Sequence, residues 1–223
     1  ETTEQVFEAI RNARPPALHV VADGPRMDRP NEAELCQATR AITQNIDWPC
    51  EVTYDFSTSN LGCKQRIYTG ISKAFERFEF AIILEDDCLP SPDFFRFVDT
   101  ARERYENAPE VMQISGTALV RPLTPKQTYY RGNIPLIWGW ATWKRSWTGL
   151  DLEIRHWPEL ETRLKDELHG SRKTISRFIK HLGKSYVYTD YKGAIDTWDY
   201  PFFAHILEKK GHCITPLYNL ISN

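Results

Sequence analysis

The chain has 223 residues, the length of one large domain or of two small ones, and it can bury a substantial hydrophobic core. Its 28 basic and 30 acidic side chains nearly balance, so it lacks the overall positive charge that would favour nucleic-acid binding. No apolar run reaches the roughly 20 residues of a membrane span, and the five cysteines are odd in number without CxxC spacing. These features favour a reduced compartment, and we predict a cytoplasmic protein without a zinc site.

The first 116 residues alternate between helical and extended patterns, which predicts a mostly parallel sheet with helices on both faces. The predicted strands fall at residues 17–22, 50–56, 81–84 and 111–115. Because a parallel sheet built from crossovers normally has a strand before its first helix, we expect the first strand of the sheet to be missing from this chain. The expected fold class is therefore α/β, a three-layer sandwich around a mostly parallel central sheet.

Three consecutive carboxylates, Glu85, Asp86 and Asp87, follow the third predicted strand in the segment AIILEDD. In open α/β sheets ligands bind beyond the C-terminal ends of the strands, and adjacent negative charges there need a cation or strong donors. Carboxylates are hard ligands that suit Mg²⁺ or Mn²⁺ holding the phosphates of a substrate. A solvated acidic turn is the alternative, but the buried strand before the acids and the capped helix after them favour a metal site.

Basic residues stand at the same predicted edge of the sheet. Lys64 and Arg66 lie in the first turn of the third predicted helix, where the positive end of the helix dipole disfavours cations unless an anion binds opposite. The turn DGPR, which contains Asp23 and Arg26, follows the first predicted strand. Arg26, Lys64 or Arg66 could add positive charge beside a bound diphosphate, whereas the alternative for the two helical residues is simple solvation.

The second half of the chain is rich in tryptophan, with four in the ten residues from 138 to 147. A glycine between Trp138 and Trp140 indicates a close backbone approach, and a buried aromatic cluster is the alternative to a ligand contact.

Asp199 in TWDYPFF precedes a predicted helix. Further elements are predicted as a helix at 171–182 and strands at 185–189 and 213–215. The sequence contains no motif of a triad hydrolase, a P-loop or a dinucleotide-binding fold.

These motifs resemble, in their order, those of GT-A glycosyltransferases, most closely N-acetylglucosaminyltransferase I and its bacterial relatives. An apolar strand ending in EDD and followed by PDFF is similar to the DxD region of that family, and GWATW and TWDYPFF follow in the same order. The motifs span about residues 60–223, and DGPR resembles the nucleotide-binding end of the fold. The resemblance implies one glycosyltransferase domain over residues 1–223, in which 1–116 bind the nucleotide sugar and 117–223 bind the acceptor.

The resemblance also implies roles for single residues. Asp87 would coordinate Mn²⁺ or Mg²⁺, with Asp86 and Glu85 flanking the metal toward the sugar nucleotide. Asp23 would contact the nucleoside, and Asp199 would be the base that deprotonates the acceptor hydroxyl. The alternative for Asp199 is a purely structural role as a helix cap.

Trp140 is a further predicted contact of the nucleotide sugar. The family pattern has a second acid directly after the base, whereas this sequence has Tyr200 at that position. The implied activity is metal-dependent, inverting transfer of a hexosyl or N-acetylhexosaminyl group from a UDP-sugar, or a related donor, to a hydroxyl of a glycan or other acceptor. A nucleotidyltransferase acting on a sugar phosphate would share the metal-bound nucleotide, but the sequence lacks a glycine-rich triphosphate loop. A non-catalytic carbohydrate-binding domain would explain the tryptophans but not EDD.

Overall fold

The structure, a computed structural model, describes residues 2–119, 128–167 and 197–223, together with residues 176, 177, 180 and 183. The predicted strand at 185–189 lies outside these residues, and so does the predicted helix at 171–182 apart from residues 176, 177 and 180. None of the described helices is both long enough and apolar enough to cross a membrane.

Strands and helices alternate through the first half of the chain, as the sequence predicts. The strands are β1 (Ala17–Ala22), β2 (Glu51–Phe56), β3 (Phe80–Ile83), β4 (Leu89–Pro90), β5 (Val111–Ser115), β6 (Tyr129–Gly132), β7 (Trp140–Trp143), β8 (His212–Pro216) and β9 (Ile221–Ser222). The helices are α1 (Thr2–Ala13), α2 (Glu32–Thr43), α3 (Cys63–Ala74), α4 (Pro92–Tyr105), α5 (Lys144–Trp147), α6 (Trp157–Glu167) and α7 (Asp199–Glu208).

The strands form one central sheet of five strands and two pairs. The central sheet has the order β3-β7-β5-β8-β6, while β1 pairs with β2 and β4 pairs with β9. Strands β1 and β2 are parallel, with Ala17 opposite Glu51 at one end and Ala22 opposite Phe56 at the other. Helix α3 covers β1 so closely that a Cβ atom on Gly70 would come within 2.6 Å of Val21. It then leads into β3, the first strand of the central sheet along the chain.

The central sheet is mixed, so the prediction of a mostly parallel sheet is wrong. Only β5 and β8 are parallel neighbours in it, and the other three pairings are antiparallel. The difference arises because β7 inserts between β3 and β5 and runs antiparallel to both. All four residues of β7 are buried, so the strand lacks the alternation of polar and apolar residues by which a half-buried strand is recognised.

Two apolar clusters cover the two faces of the central sheet. On one face α4 buries Phe94 and Val98 completely, beside Ile114 of β5. On the other face the cluster is aromatic and contains Trp140 of β7 and Phe202 of α7. Each fully buried side chain of this size contributes on the order of 1.5–3 kcal/mol to stability. The central sheet and the helices that cover it therefore form a packed base for the loop at the C-terminal end of β3.

Candidate functional site

The three acidic residues after β3 lie in a tight turn. The Cys88 N–H donates a hydrogen bond to the Glu85 carbonyl (3.0 Å), which leaves Asp86 and Asp87 at the two central positions. Both aspartates are exposed. The turn is fixed at both ends, because β3 belongs to the central sheet and β4, directly after the turn, pairs with β9. The fold therefore presents two carboxylates to solvent at the C-terminal end of β3.

This acidic turn, residues 85–87, is not neutralised by basic residues in the described part of the chain, where no lysine or arginine forms an ion pair with it. The contact to Asp86 is instead a weak one at 3.5 Å from the hydroxyl of Thr3, in the first turn of α1. Burial raises the pKa of Glu85 to about 7, helped by the negative charges of Asp87, Asp86 and Asp199. A bound cation would relieve this repulsion.

The turn offers few ligands of its own for such a cation. Within residues 2–119, 128–167 and 197–223, no group of three or more His, Cys, Asp or Glu side chains is arranged to hold a metal ion. One or two carboxylates nevertheless fit the manner in which Mg²⁺ binds beside nucleotides, where water and substrate phosphates supply the remaining oxygen ligands. The exposed pair Asp86 and Asp87 is therefore compatible with a metal bound together with a diphosphate.

Asp199 reaches the same region through the aromatic cluster. Trp198, directly before it, stacks on Trp140 with ring centroids 5.3 Å apart and an interplanar angle of 18°. Trp140 in turn lies opposite Ile83, the last residue of β3, in the central sheet. The start of α7 is thereby held beside the end of β3, which agrees with the effect of the Asp199 charge on the pKa of Glu85.

Asp199 does not cap α7. The helix begins at Asp199 itself, with Trp198 in the capping position and no side-chain capping hydrogen bond. The Thr197 hydroxyl donates a hydrogen bond to Oδ1 of Asp199, while Oδ2 accepts none from the described residues. The alternative in which Asp199 serves only as a cap is therefore not supported by its geometry, and one carboxylate oxygen stays available to a ligand.

Asp23 fixes a loop. Its carboxylate accepts hydrogen bonds from the backbone N–H groups of Gly24 (2.8 Å), Leu61 (2.9 Å) and Gly62 (3.0 Å) and from the side-chain amide of Asn60 (2.9 Å). Four donors occupy about all the lone-pair positions of one carboxylate. Asp23 thus holds residues 60–62 at the start of α3 against the end of β1, and a direct contact with a nucleoside stays a prediction.

Arg26 and Lys64 both have acidic partners near the surface. The Arg26 guanidinium bonds to both carboxylate oxygens of Glu32, with its Nε atom 2.9 Å from Oε1. Lys64 Nζ lies 3.5 Å from Glu153 Oε1. Exchanging the Glu32 partner of Arg26 for a phosphate group costs little, because ion pairs of exposed side chains are weak, whereas the Lys64 side chain is only 15% exposed. Both residues stay candidates for a diphosphate contact.

Arg66 has a different role from the one predicted, because its side chain is only 7% exposed. Its guanidinium forms an ion pair with the Asp55 carboxylate of β2 and donates to the Asp55 carbonyl oxygen (3.0 Å). Lys73, two turns further along the same face of α3, donates to the same carboxylate at 2.7 Å. Arg66 therefore fastens α3 to β2 and does not face a diphosphate.

The seven tryptophans separate into six buried side chains and one exposed side chain. Trp140 has no exposed surface, which corrects the prediction that it contacts the nucleotide sugar. Its place in the aromatic cluster instead positions Trp198 and hence Asp199. Trp138 is 48% exposed and is not among the predicted site residues. The signal that could have identified Trp138 is Gly139, which adopts a positive φ of 64° directly before β7 and so separates Trp138 from the buried strand.

No protein-family model matches this chain, and a search of curated proteins finds no match. Function is therefore inferred from an acidic turn that basic residues of the described chain do not neutralise, with a second carboxylate beside it at the start of α7.

Proposed function

We propose that this protein transfers a sugar from a nucleotide-diphosphate sugar, first of all a UDP-sugar, to a hydroxyl of a glycan or other acceptor, with a divalent metal and with inversion. The observation that carries the proposal is that the acidic turn follows Ile83, which pairs with Trp140, while Trp140 stacks on Trp198 directly before Asp199. A metal-binding turn and a separate carboxylate at one site are what this reaction needs.

Asp87, with Asp86 beside it, would hold Mn²⁺ or Mg²⁺ on the solvent side of the acidic turn. When bound there, the cation supplies Lewis-acid neutralisation of the negative charge on the nucleoside diphosphate. The hydrogen bonds of Asp23 hold the loop at residues 60–62, which we expect to border the nucleoside. Lys64 at the start of α3 and Arg26 after β1 would add positive charge beside the phosphates.

Asp199 would act as the base, because a carboxylate that is bound to a cation loses the basicity that this step needs. In the step, the acceptor oxygen forms a bond to the anomeric carbon while the bond from that carbon to the diphosphate breaks. The electron pair of the broken bond leaves with the nucleoside diphosphate, and the hydroxyl proton passes to the Asp199 carboxylate. A single displacement of this kind inverts the anomeric centre.

We further propose that the α/β fold is of the GT-A type and that the protein acts in the cytoplasm. The apolar clusters on both faces of the central sheet and the acidic turn at the C-terminal end of β3 support the first point. Five free thiols, at Cys36, Cys50, Cys63, Cys88 and Cys213, are consistent with the second.

The test replaces Asp199 by asparagine, which keeps the shape of the side chain but cannot accept a proton at neutral pH. Release of UDP from a panel of UDP-sugars is followed with methyl glycosides as acceptors and Mn²⁺ present. We expect Asp199→Asn to keep donor affinity while transfer falls roughly 10²- to 10⁴-fold.

The matched control is Asp93→Asn, which removes another acid from the first turn of a helix, that of α4. This exposed residue should leave transfer unchanged. Transfer by Asp199→Asn within a few-fold of the unmutated protein would remove Asp199 from the mechanism, and failure of the unmutated protein to release UDP with any donor and acceptor would contradict the proposed function.

A further inference from the structure

We propose that Trp138 is a stacking platform for a pyranose ring of the acceptor. This inference rests on the proposed function and narrows the acceptor class from any hydroxyl compound to a carbohydrate whose ring presents an apolar face next to the acidic turn.

Trp138 differs from every other tryptophan in its exposure. About half of its surface faces solvent, whereas the other six tryptophans are at most 6% exposed. Exposed tryptophan leaves a large apolar area in water, and burying that area against a ligand is favourable by roughly 25 cal/mol per Å². A chain that buries six tryptophans and exposes one beside its acidic turn has an apolar surface available for a partner.

The segment before β7 lies beside the end of β3. The pairing of these antiparallel strands ends with Ile83 opposite Trp140. The positive φ of Gly139 ends the regular strand there, yet a Cβ atom on Gly139 would lie 3.4 Å from the Leu84 side chain. Trp138 and Glu85 are each one residue beyond this contact, which puts the exposed indole in the neighbourhood of the acidic turn.

The backbone around Trp138 is held in place. The Thr117 hydroxyl donates to the Trp138 carbonyl (2.6 Å), and the Gly116 N–H donates to the Gly139 carbonyl (2.8 Å). Gly139 adopts a positive φ and lies so close to Ile221 of β9 that a Cβ atom would come within 2.4 Å of it. A platform that is already ordered loses little conformational entropy when a ligand binds.

Two further exposed apolar side chains, Leu119 and Tyr218, lie on segments that are joined to this one. The Ala118 N–H donates to the side chain of Asn219 (3.1 Å). The Leu220 N–H donates to the Gly116 carbonyl (3.0 Å), and Gly116 is the residue whose N–H donates to Gly139. Leu119 and Tyr218 therefore lie on segments that neighbour the segment of Trp138.

A pyranose ring fits this combination of groups. Its C–H faces are apolar and can cover an indole ring, while its hydroxyl groups can donate to carboxylates at the ring edge. A nucleobase would also stack, but the position of Trp138 favours the acceptor. Trp138 lies two residues from Trp140, which stacks on Trp198 next to Asp199, and the acceptor must lie beside the base.

The experiment measures binding of a panel of methyl glycosides by ligand-observed NMR, without nucleotide or metal, for the unmutated protein, Trp138→Ala and Trp138→Phe. We expect saturable binding of at least one glycoside, roughly 10-fold weaker binding by Trp138→Ala, and binding by Trp138→Phe within about 3-fold. The control Tyr54→Ala, which removes an exposed aromatic side chain from β2, should bind like the unmutated protein.

Affinity for UDP in the presence of Mn²⁺ is measured on the same preparations and should be unchanged in Trp138→Ala. Failure of every glycoside to bind the unmutated protein, or equal binding by Trp138→Ala, would overturn the inference. Loss of UDP affinity in Trp138→Ala would overturn it as well and would assign Trp138 to the nucleobase. Absence of metal-dependent UDP binding in the unmutated protein counts against the proposed function, while the glycoside series still decides the role of Trp138.

Discussion

Replacing Asp55 by alanine should lower the free energy of unfolding by about 3 kcal/mol, the lower end of the range for breaking a buried ion pair. The Arg66 side chain is 7% exposed and that of Asp55 is 15% exposed, so the substitution leaves a nearly buried guanidinium without its counter-ion. Lys73, the second partner of Asp55, is half-exposed and can return to water. The cost therefore arises mainly from Arg66.

The same substitution should have a smaller effect in acid. Burial alone would raise the pKa of Asp55, but hydrogen bonds from Lys73 and Arg66, together with their charges, lower it below its ordinary value of 3.8. The folded protein thus binds this proton less readily than the unfolded chain does. The stabilisation is complete above the ordinary pKa and is lost as pH falls through the lowered, folded-state pKa.

Urea unfolding of the unmutated protein, Asp55→Ala, Arg66→Leu and the double variant measures these effects. We expect the double variant to lose clearly less stability than the sum of the single losses, because it removes both charges together. Affinity of Arg66→Leu for UDP with Mn²⁺ should match that of the unmutated protein if Arg66 only fastens α3 to β2. A loss below about 1 kcal/mol for Asp55→Ala at neutral pH would refute the assignment of a buried pair.

Two other substitutions test the site and its support. Glu85 has a pKa of about 7 in the folded protein against an ordinary value of 4.5, so ionisation of Glu85 destabilises the fold as pH rises through that interval. Glu85→Gln should therefore raise stability at pH values above 7 by about 1–2 kcal/mol, after allowance for partial exposure, and little near the ordinary pKa. Overlapping pH profiles of melting temperature for the two proteins would contradict this. Gly139→Ala should cost about 2–4 kcal/mol, because it adds a contact with Ile221 to the strain of a positive φ. Gly149→Ala, where φ is also positive and no atom lies within 4 Å of the added Cβ, is the control and should cost only about 1–2 kcal/mol.

The elements that the sequence predicted well are those whose pattern is local. The strands at 17–22 and 111–115 agree with the structure at both ends, because their apolar patterns and flanking turn residues define them. Strand β7 was not predicted, since a strand buried on both faces has no polar alternation. Its insertion between β3 and β5 changed the sheet from mostly parallel to mixed.

The sequence also predicted only those parts of the candidate site that a local pattern reveals. The acidic turn and Asp199 could be found because charged residues at the ends of elements stand out in the sequence. The burial of Arg66 could not be found, because it depends on how α3 packs against β2, the strand that carries its partner Asp55. Trp138 and Trp140 are two residues apart, yet one is exposed and the other buried, and the cause is the backbone of Gly139 and the packing of α7 on the sheet.

The most direct test of the central claim is calorimetric titration of the unmutated protein and Asp87→Ala with UDP, in Mn²⁺ and in EDTA. Asp93→Ala, which removes an exposed aspartate from α4, serves as the control. We predict saturable UDP binding that requires Mn²⁺ in the unmutated protein and in the control, and loss of this binding in Asp87→Ala with an unchanged melting temperature. Equal UDP affinity in Mn²⁺ and in EDTA, or unchanged metal-dependent binding by Asp87→Ala, would contradict the assignment of the acidic turn as the metal and diphosphate site.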